Sequence, residues 1–97
     1  MTDRNRECAV AVRIEGRVQG VWYRGWAVDE AERRGLCGWV RNRSDGSVEA
    51  LFIGPEALVA DMVEACRRGP PAARVSNVVE TPAQDDGSQG FRQRATE

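Results

Sequence analysis

The run from Cys8 to Glu15 alternates in polarity, with Val10, Val12 and Ile14 on one face and Ala9, Ala11 and Arg13 on the other. A period of two predicts a half-buried strand. It passes directly into a glycine-bracketed loop, Gly16-Arg17-Val18-Gln19-Gly20-Val21-Trp22-Tyr23-Arg24. Trp22 to Arg34 then places Tyr23, Trp26, Ala27 and Ala31 on one stripe at helical spacing. A strand that turns through glycines into a helix gathers unpaired backbone N–H groups at the positive end of the helix dipole. Such a junction is suited to an anion, and Arg24 adds a planar cationic fork that matches phosphate oxygens.

The rest of the chain sets the architecture. Asp29–Arg33 and Glu30–Arg34 are spaced as i,i+4 ion pairs on the wet side of the first helix, and Gly35 followed by Leu36 is a C-terminal cap. Leu36 to Arg41 reads as a second strand and Ser47 to Ile53 as a third, joined by Asn42-Arg43-Ser44-Asp45-Gly46 with its Asp-Gly hairpin signal. Pro55 sits near the first position of a second helix whose expected buried face is Leu58, Val59, Met62, Val63 and Cys66. Pro70-Pro71 breaks the chain before a strand at Arg74 to Glu80, and a polar loop from Pro82 to Gly90 leads to a last short strand around Phe91 to Ala95. The order β-α-β-β-α-β is an α+β, ferredoxin-like split βαβ: an antiparallel sheet with two helices on one face. Ninety-seven residues make one domain, residues 1–97 with a core of roughly 8–95.

Composition removes several chemistries. The chain has no histidine, and all 14 of its cationic side chains are arginine. A phosphohistidine, a histidine base, a lysine Schiff base and a His-ligated metal are therefore excluded. A net charge of −1 provides no field to draw in nucleic acid or an anionic membrane. Cys8, Cys37 and Cys66 are odd in number, widely spaced and without a C-x-x-C pair, so they read as small half-buried apolar residues in a reducing compartment. The polar opening, Met1 to Glu7, does not look like a secretory leader, and there is no long apolar run. The expectation is a cytoplasmic protein.

At the candidate site, Arg24 occupies the first helical turn, where a cation opposes the helix dipole. Either a bound anion compensates it or a carboxylate does so from elsewhere in the fold. Asn42 is either a turn residue tolerant of unusual backbone angles or a neutral amide that holds a water. Trp22, Trp26 and Trp39 are expected in the core or at its rim.

Gly16-Arg17-Val18-Gln19-Gly20-Val21-Trp22-Tyr23-Arg24, followed by Gly38-Trp39-Val40-Arg41-Asn42, closely resembles the paired signatures of the acylphosphatase family. Asp45-Gly46-Ser47-Val48-Glu49 and Gly54-Pro55 also look like that family's hairpin and second helix start. The resemblance covers roughly residues 8–80. It implies the ferredoxin-like fold and metal-free, cofactor-free hydrolysis of small acyl phosphates. It also implies site roles: Arg24 binding phosphate, Asn42 orienting the attacking water, and the backbone amides of Gln19, Gly20, Val21, Trp22 and Tyr23 holding the phosphoryl group. Tyr23 stands where the family usually has phenylalanine, so its hydroxyl needs a partner. Gly90 to Arg94 is more polar than the family's usual last strand.

The sparse site suits this substrate class. The leaving group is a carboxylate whose conjugate acid has a pKa of roughly 4, so it departs without a general acid. What remains is to position a water in line and to stabilise charge on the phosphoryl oxygens. The alternative on the same fold is a non-catalytic phosphate or carbamoyl-phosphate binding module. An RNA-binding domain is a third reading, opposed by the charge and by the lack of an aromatic-rich signature in Ser47 to Ile53. The expected partners are the acyl phosphate and its product inorganic phosphate, with no nucleic acid and no membrane, and the protein is expected to act as a monomer.

Overall fold

A computed structural model of the protein describes residues 6–97. The reading of the N-terminus as free of a leader falls mostly on residues outside that range. The elements are β1 (Glu7–Arg17), α1 (Tyr23–Arg33), β2 (Cys37–Asn42), β3 (Val48–Pro55), α2 (Glu56–Cys66), β4 (Arg74–Pro82) and β5 (Phe91–Gln93). The sheet runs β4-β1-β3-β2-β5. β1–β3, β1–β4 and β2–β3 are antiparallel. The expected antiparallel sheet needs one correction: β5 joins the edge parallel to β2, Gly38 opposite Phe91 and Val40 opposite Gln93. No helix among the described residues is long and apolar enough to cross a membrane.

The period-two pattern of β1 is realised as written. Val12 and Ile14 are buried in the main core beside Val40, Val48, Ala50 and Phe52, and the helices close it with Tyr23, Ala27, Ala31, Val59, Met62, Val63 and Cys66. Burying such side chains contributes about 1.5–3 kcal/mol for each large one. On the sheet's other face Ala9, Leu51 and Ile53 form a small second cluster with Trp39 against it. Arg41 and Arg94 each lie 4.9 Å from the Trp39 ring centroid, so this face is shielded by guanidinium groups stacked on an indole.

Several side-chain expectations differ in detail, and Trp22, expected in the core or at its rim, is 63% exposed. Leu58 is 38% exposed, because α2 turns Val59, Met62, Val63 and Ala65 inward and leaves Leu58 on its flank. Arg33 pairs with Glu30 at 3.4 Å, rather than with Asp29, on the turn that also holds the expected Glu30–Arg34 pair. Arg34 further reaches Asp61 of α2 at 2.8 Å, tying the two helices at the surface.

Tyr23 is fully buried, and its hydroxyl donates to the Cys66 carbonyl at 2.6 Å. The extra hydroxyl thus satisfies an orphan carbonyl at the C-terminus of α2, and burial pushes its pKa up. Cys66 is buried rather than half-buried, with its thiol raised to about 12 by desolvation, which makes it inert.

Gly16 belongs to β1 rather than to the loop. The register shifts between Glu15 and Gly16, where a bulge lets β1 follow β4 to its end. A Cβ on Gly16 would fall on the Arg74 carbonyl oxygen, and its φ is +125°. The β2–β3 connection closes with Gly46 N–H bonded to the Arg43 carbonyl at 3.1 Å and Arg43 N–H to the Ser47 carbonyl at 2.8 Å. Asp45 Oδ1 accepts from the Ser47 hydroxyl and N–H at 2.6 and 2.9 Å, and Oδ2 pairs with Arg13 at 2.7 Å. These bonds, led by the Ser47 hydroxyl, hold the Asp45 carboxyl below its ordinary pKa.

Gly16→Ala should lower unfolding free energy by about 1–3 kcal/mol, measured by urea denaturation; a change below about 0.5 kcal/mol would mean β4 yields freely. Because the Asp45 pKa is depressed on folding, its contribution is present above its unfolded pKa of about 3.9 and is lost as pH falls through the folded value. The stability gap between wild type and Asp45→Ala should therefore be largest near neutral pH and shrink in acid. A gap independent of pH would show that the carboxylate charge is irrelevant.

Candidate active site

The loop from Val18 to Trp22 joins β1 to α1, and its conformation is set by two residues in the left-handed region. Gly20 has φ +74° and Trp22 has φ 66°. Left-handed residues alternating with ordinary ones curl a backbone so that successive N–H groups point to one side, a nest for an anion. Among the described residues the N–H groups of Gly20 to Arg24 have no acceptor, whereas the helix ladder starts with Trp26 N–H bonded to the Trp22 carbonyl at 3.0 Å. Trp22 is the N-cap of α1 rather than its first helical residue; it offers no side-chain cap, and the first turn contains no acid.

What holds so unsatisfied a loop in place is Gln19. Its side-chain amide donates to the carbonyls of Arg43 and Ser47, both at 2.8 Å. The loop is thereby fastened to the β2–β3 hairpin, the element that carries Asn42. Val18 plugs the loop into the core at 1% exposure. Val21 packs against the core from the other side of the turn.

A pocket of about 140 Å³ opens here, lined by Val18, Gln19, Gly20, Trp22, Tyr23, Arg24, Gly25, Asn42 and Gln93. Five of the six loop positions expected at the site line it, together with Asn42 from the far end of β2; Val21 is the one that does not, although its N–H belongs to the same curl. Larger concavities lie on the open face of the sheet and along the Asp86–Arg94 region, without a comparable set of free N–H groups. Of the two readings of Arg24, the carboxylate partner finds no support: among the described residues Arg24 makes no ion pair or side-chain hydrogen bond. The Asn42 side-chain amide is likewise without a partner among them.

The backbone of Asn42 is fixed from two sides. It pairs with Val48 across β3. Its carbonyl accepts from Glu97 N–H at 3.1 Å, and Arg94 N–H bonds to the Val40 carbonyl at 2.8 Å, so the chain beyond β5 keeps tracking β2. Arg41 adds ion pairs to Glu49 and Glu97 at 2.8 and 2.9 Å. Phe91 anchors this strand in the core, stacked on Phe52 at 5.4 Å. Gln93 follows on the same face two residues later and so reaches the pocket wall. Sequence reasoning missed Gln93; the alternation Phe91, Gln93 after Gly90 is the signal that could have found it.

The acylphosphatase family model matches residues 10–93. An acylphosphatase from Rhodospirillum rubrum is 60% identical over 83 residues, 86% of this chain and 91% of that protein. The structure of an acylphosphatase from Coxiella burnetii superposes with a TM-score of 0.88 at 35% identity, covering 97% of this chain and 98% of that one. The acylphosphatase structure from Bacillus subtilis gives 0.85 at 38% identity, covering 89% and 97%. A loop of free amides, a cation without a counter-charge and this likeness along almost the whole length converge: the chain belongs to the acylphosphatase family, and its activity is hydrolysis of acyl phosphates.

Proposed function

We propose that the phosphoryl group of the substrate sits in the curl of the loop, held by the backbone N–H groups of Gln19 to Tyr23 and by Arg24, while the Asn42 amide orients the attacking water. The observation that carries this reading is the uncompensated Arg24. A guanidinium in the first turn of α1, with no acid in that turn and no ion-pair partner among the described residues, is electrostatically unfavourable until an anion arrives. A phosphoryl group bearing two negative charges supplies what both the helix end and the arginine lack.

The steps follow from that placement. The three equatorial oxygens meet N–H donors and the guanidinium, which stabilise charge as the P–O bond to the acyl group stretches. The water, held by the Asn42 carbonyl oxygen or NH2 group, adds in line as the carboxylate leaves. Because the leaving carboxylate is a weak base with a conjugate-acid pKa of about 4, no acid has to protonate it. The water's proton passes to the phosphate product, whose oxygens lie nearest. Gln19 acts by holding the loop against the hairpin, keeping phosphate donors and Asn42 at a fixed separation. All of these groups come from one chain, which supports a single 1–97 domain acting as a monomer. The three free cysteines suit a reducing compartment, and we place the enzyme in the cytoplasm.

Hydrolysis of benzoyl phosphate in excess EDTA tests the assignment. Turnover should persist in the wild type. Arg24→Ala should abolish both turnover and competitive inhibition by inorganic phosphate. Asn42→Ala should keep phosphate inhibition and lose about 10²- to 10³-fold in kcat, the scale for one positioned group. Equal loss of phosphate binding in both variants would contradict the division of roles, and EDTA-sensitive turnover would contradict a metal-free site.

A further inference from the structure

Trp22 is 63% exposed, while the other exposed large apolar side chains among the described residues, Leu58 and Val79, lie away from the pocket on α2 and β4. It lines the pocket that holds Arg24 and Asn42. Its backbone stays in the left-handed region at φ 66°, a conformation that is strained for a side chain of this bulk. Its indole lies against the backbone of Gly25, where a Cβ would fall on Nε1. The ring therefore has a defined seat at the pocket, although it stays 63% exposed among the described residues.

The pocket, at about 140 Å³, is well below the roughly 300 Å³ or more of sites that enclose a drug-sized ligand. With the phosphoryl group in the loop, the acyl group must extend to the mouth. Among the described residues that line the pocket, Trp22 offers the exposed apolar surface. We infer that the Trp22 indole is the acyl-contacting surface of this enzyme and that it selects aromatic or bulky apolar acyl phosphates over short ones. This rests on the placement of phosphate proposed above. An aryl ring stacked on or edge-on to the indole gains an aromatic pair contact, whereas an acetyl group presents one methyl to the same surface.

The test is the ratio of kcat/KM for benzoyl phosphate to that for acetyl phosphate. Trp22→Ala should lower this ratio by about tenfold, and Trp22→Phe should keep most of it, the scale expected for one aromatic contact. An unchanged ratio in folded Trp22→Ala would overturn the inference, even if both rates fell together through disturbance of the loop. On the wild-type chain, the Trp22 indole N–H resonance should shift with benzylphosphonate and much less with methylphosphonate; equal shifts would overturn it independently of any variant. Failure of the phosphate placement itself reads differently, as Arg24→Ala retaining inhibition by inorganic phosphate.

Discussion

Backbone N–H groups that no described residue satisfies are the constraint around which this fold is arranged. A chain that leaves several donors of one loop unpaired must hold that loop by other means, because a free loop would collapse onto its own carbonyls. Here the means are specific. Val18 buries one end, Tyr23 the other, and the Gln19 amide ties the middle to two carbonyls of the β2–β3 hairpin. The tie fixes the loop against the hairpin that carries Asn42.

The same economy runs through the periphery. Tyr23 fills the core beneath the loop and spends its hydroxyl on the end of α2, joining the start of one helix to the end of the other. The polar C-terminal run is held by backbone pairing along β2 and by Arg41–Glu97, with Phe91 its anchor in the core. Asn42 is consequently the last residue of a strand with neighbours on both sides, not a free turn residue. A side chain on so constrained a backbone can hold a water with little reorganisation.

Much of this was legible in the sequence where local periodicity and turn chemistry agree. The alternation of β1, the stripe of α1 and the Asp-Gly turn each rest on nearby residues and were realised within a residue or two. Gly16 was misread as part of the loop because its requirement is tertiary: the carbonyl of Arg74, distant in sequence, leaves no room for a Cβ. The parallel pairing of β5 was hidden because only Phe91 in that strand carries an apolar signal. Leu58 kept the helical spacing of a core residue, yet α2 rotates it to the flank, an angle that periodicity leaves open. At the site, the residue types of the loop, Arg24 and Asn42 were readable from pattern, whereas the Gln19 tie and the Gln93 wall depend on which elements become neighbours.

A titration of the 15N-labelled wild-type protein with inorganic phosphate, followed by amide NMR, tests the central claim most directly. The account predicts large shifts confined to the backbone amides from Gln19 to Arg24 and to the Asn42 side chain, with the Arg24 guanidinium Nε–H sharpening as phosphate saturates. Shifts centred on Arg13, Arg43 and the open face of the sheet, with the loop amides unmoved, would contradict it.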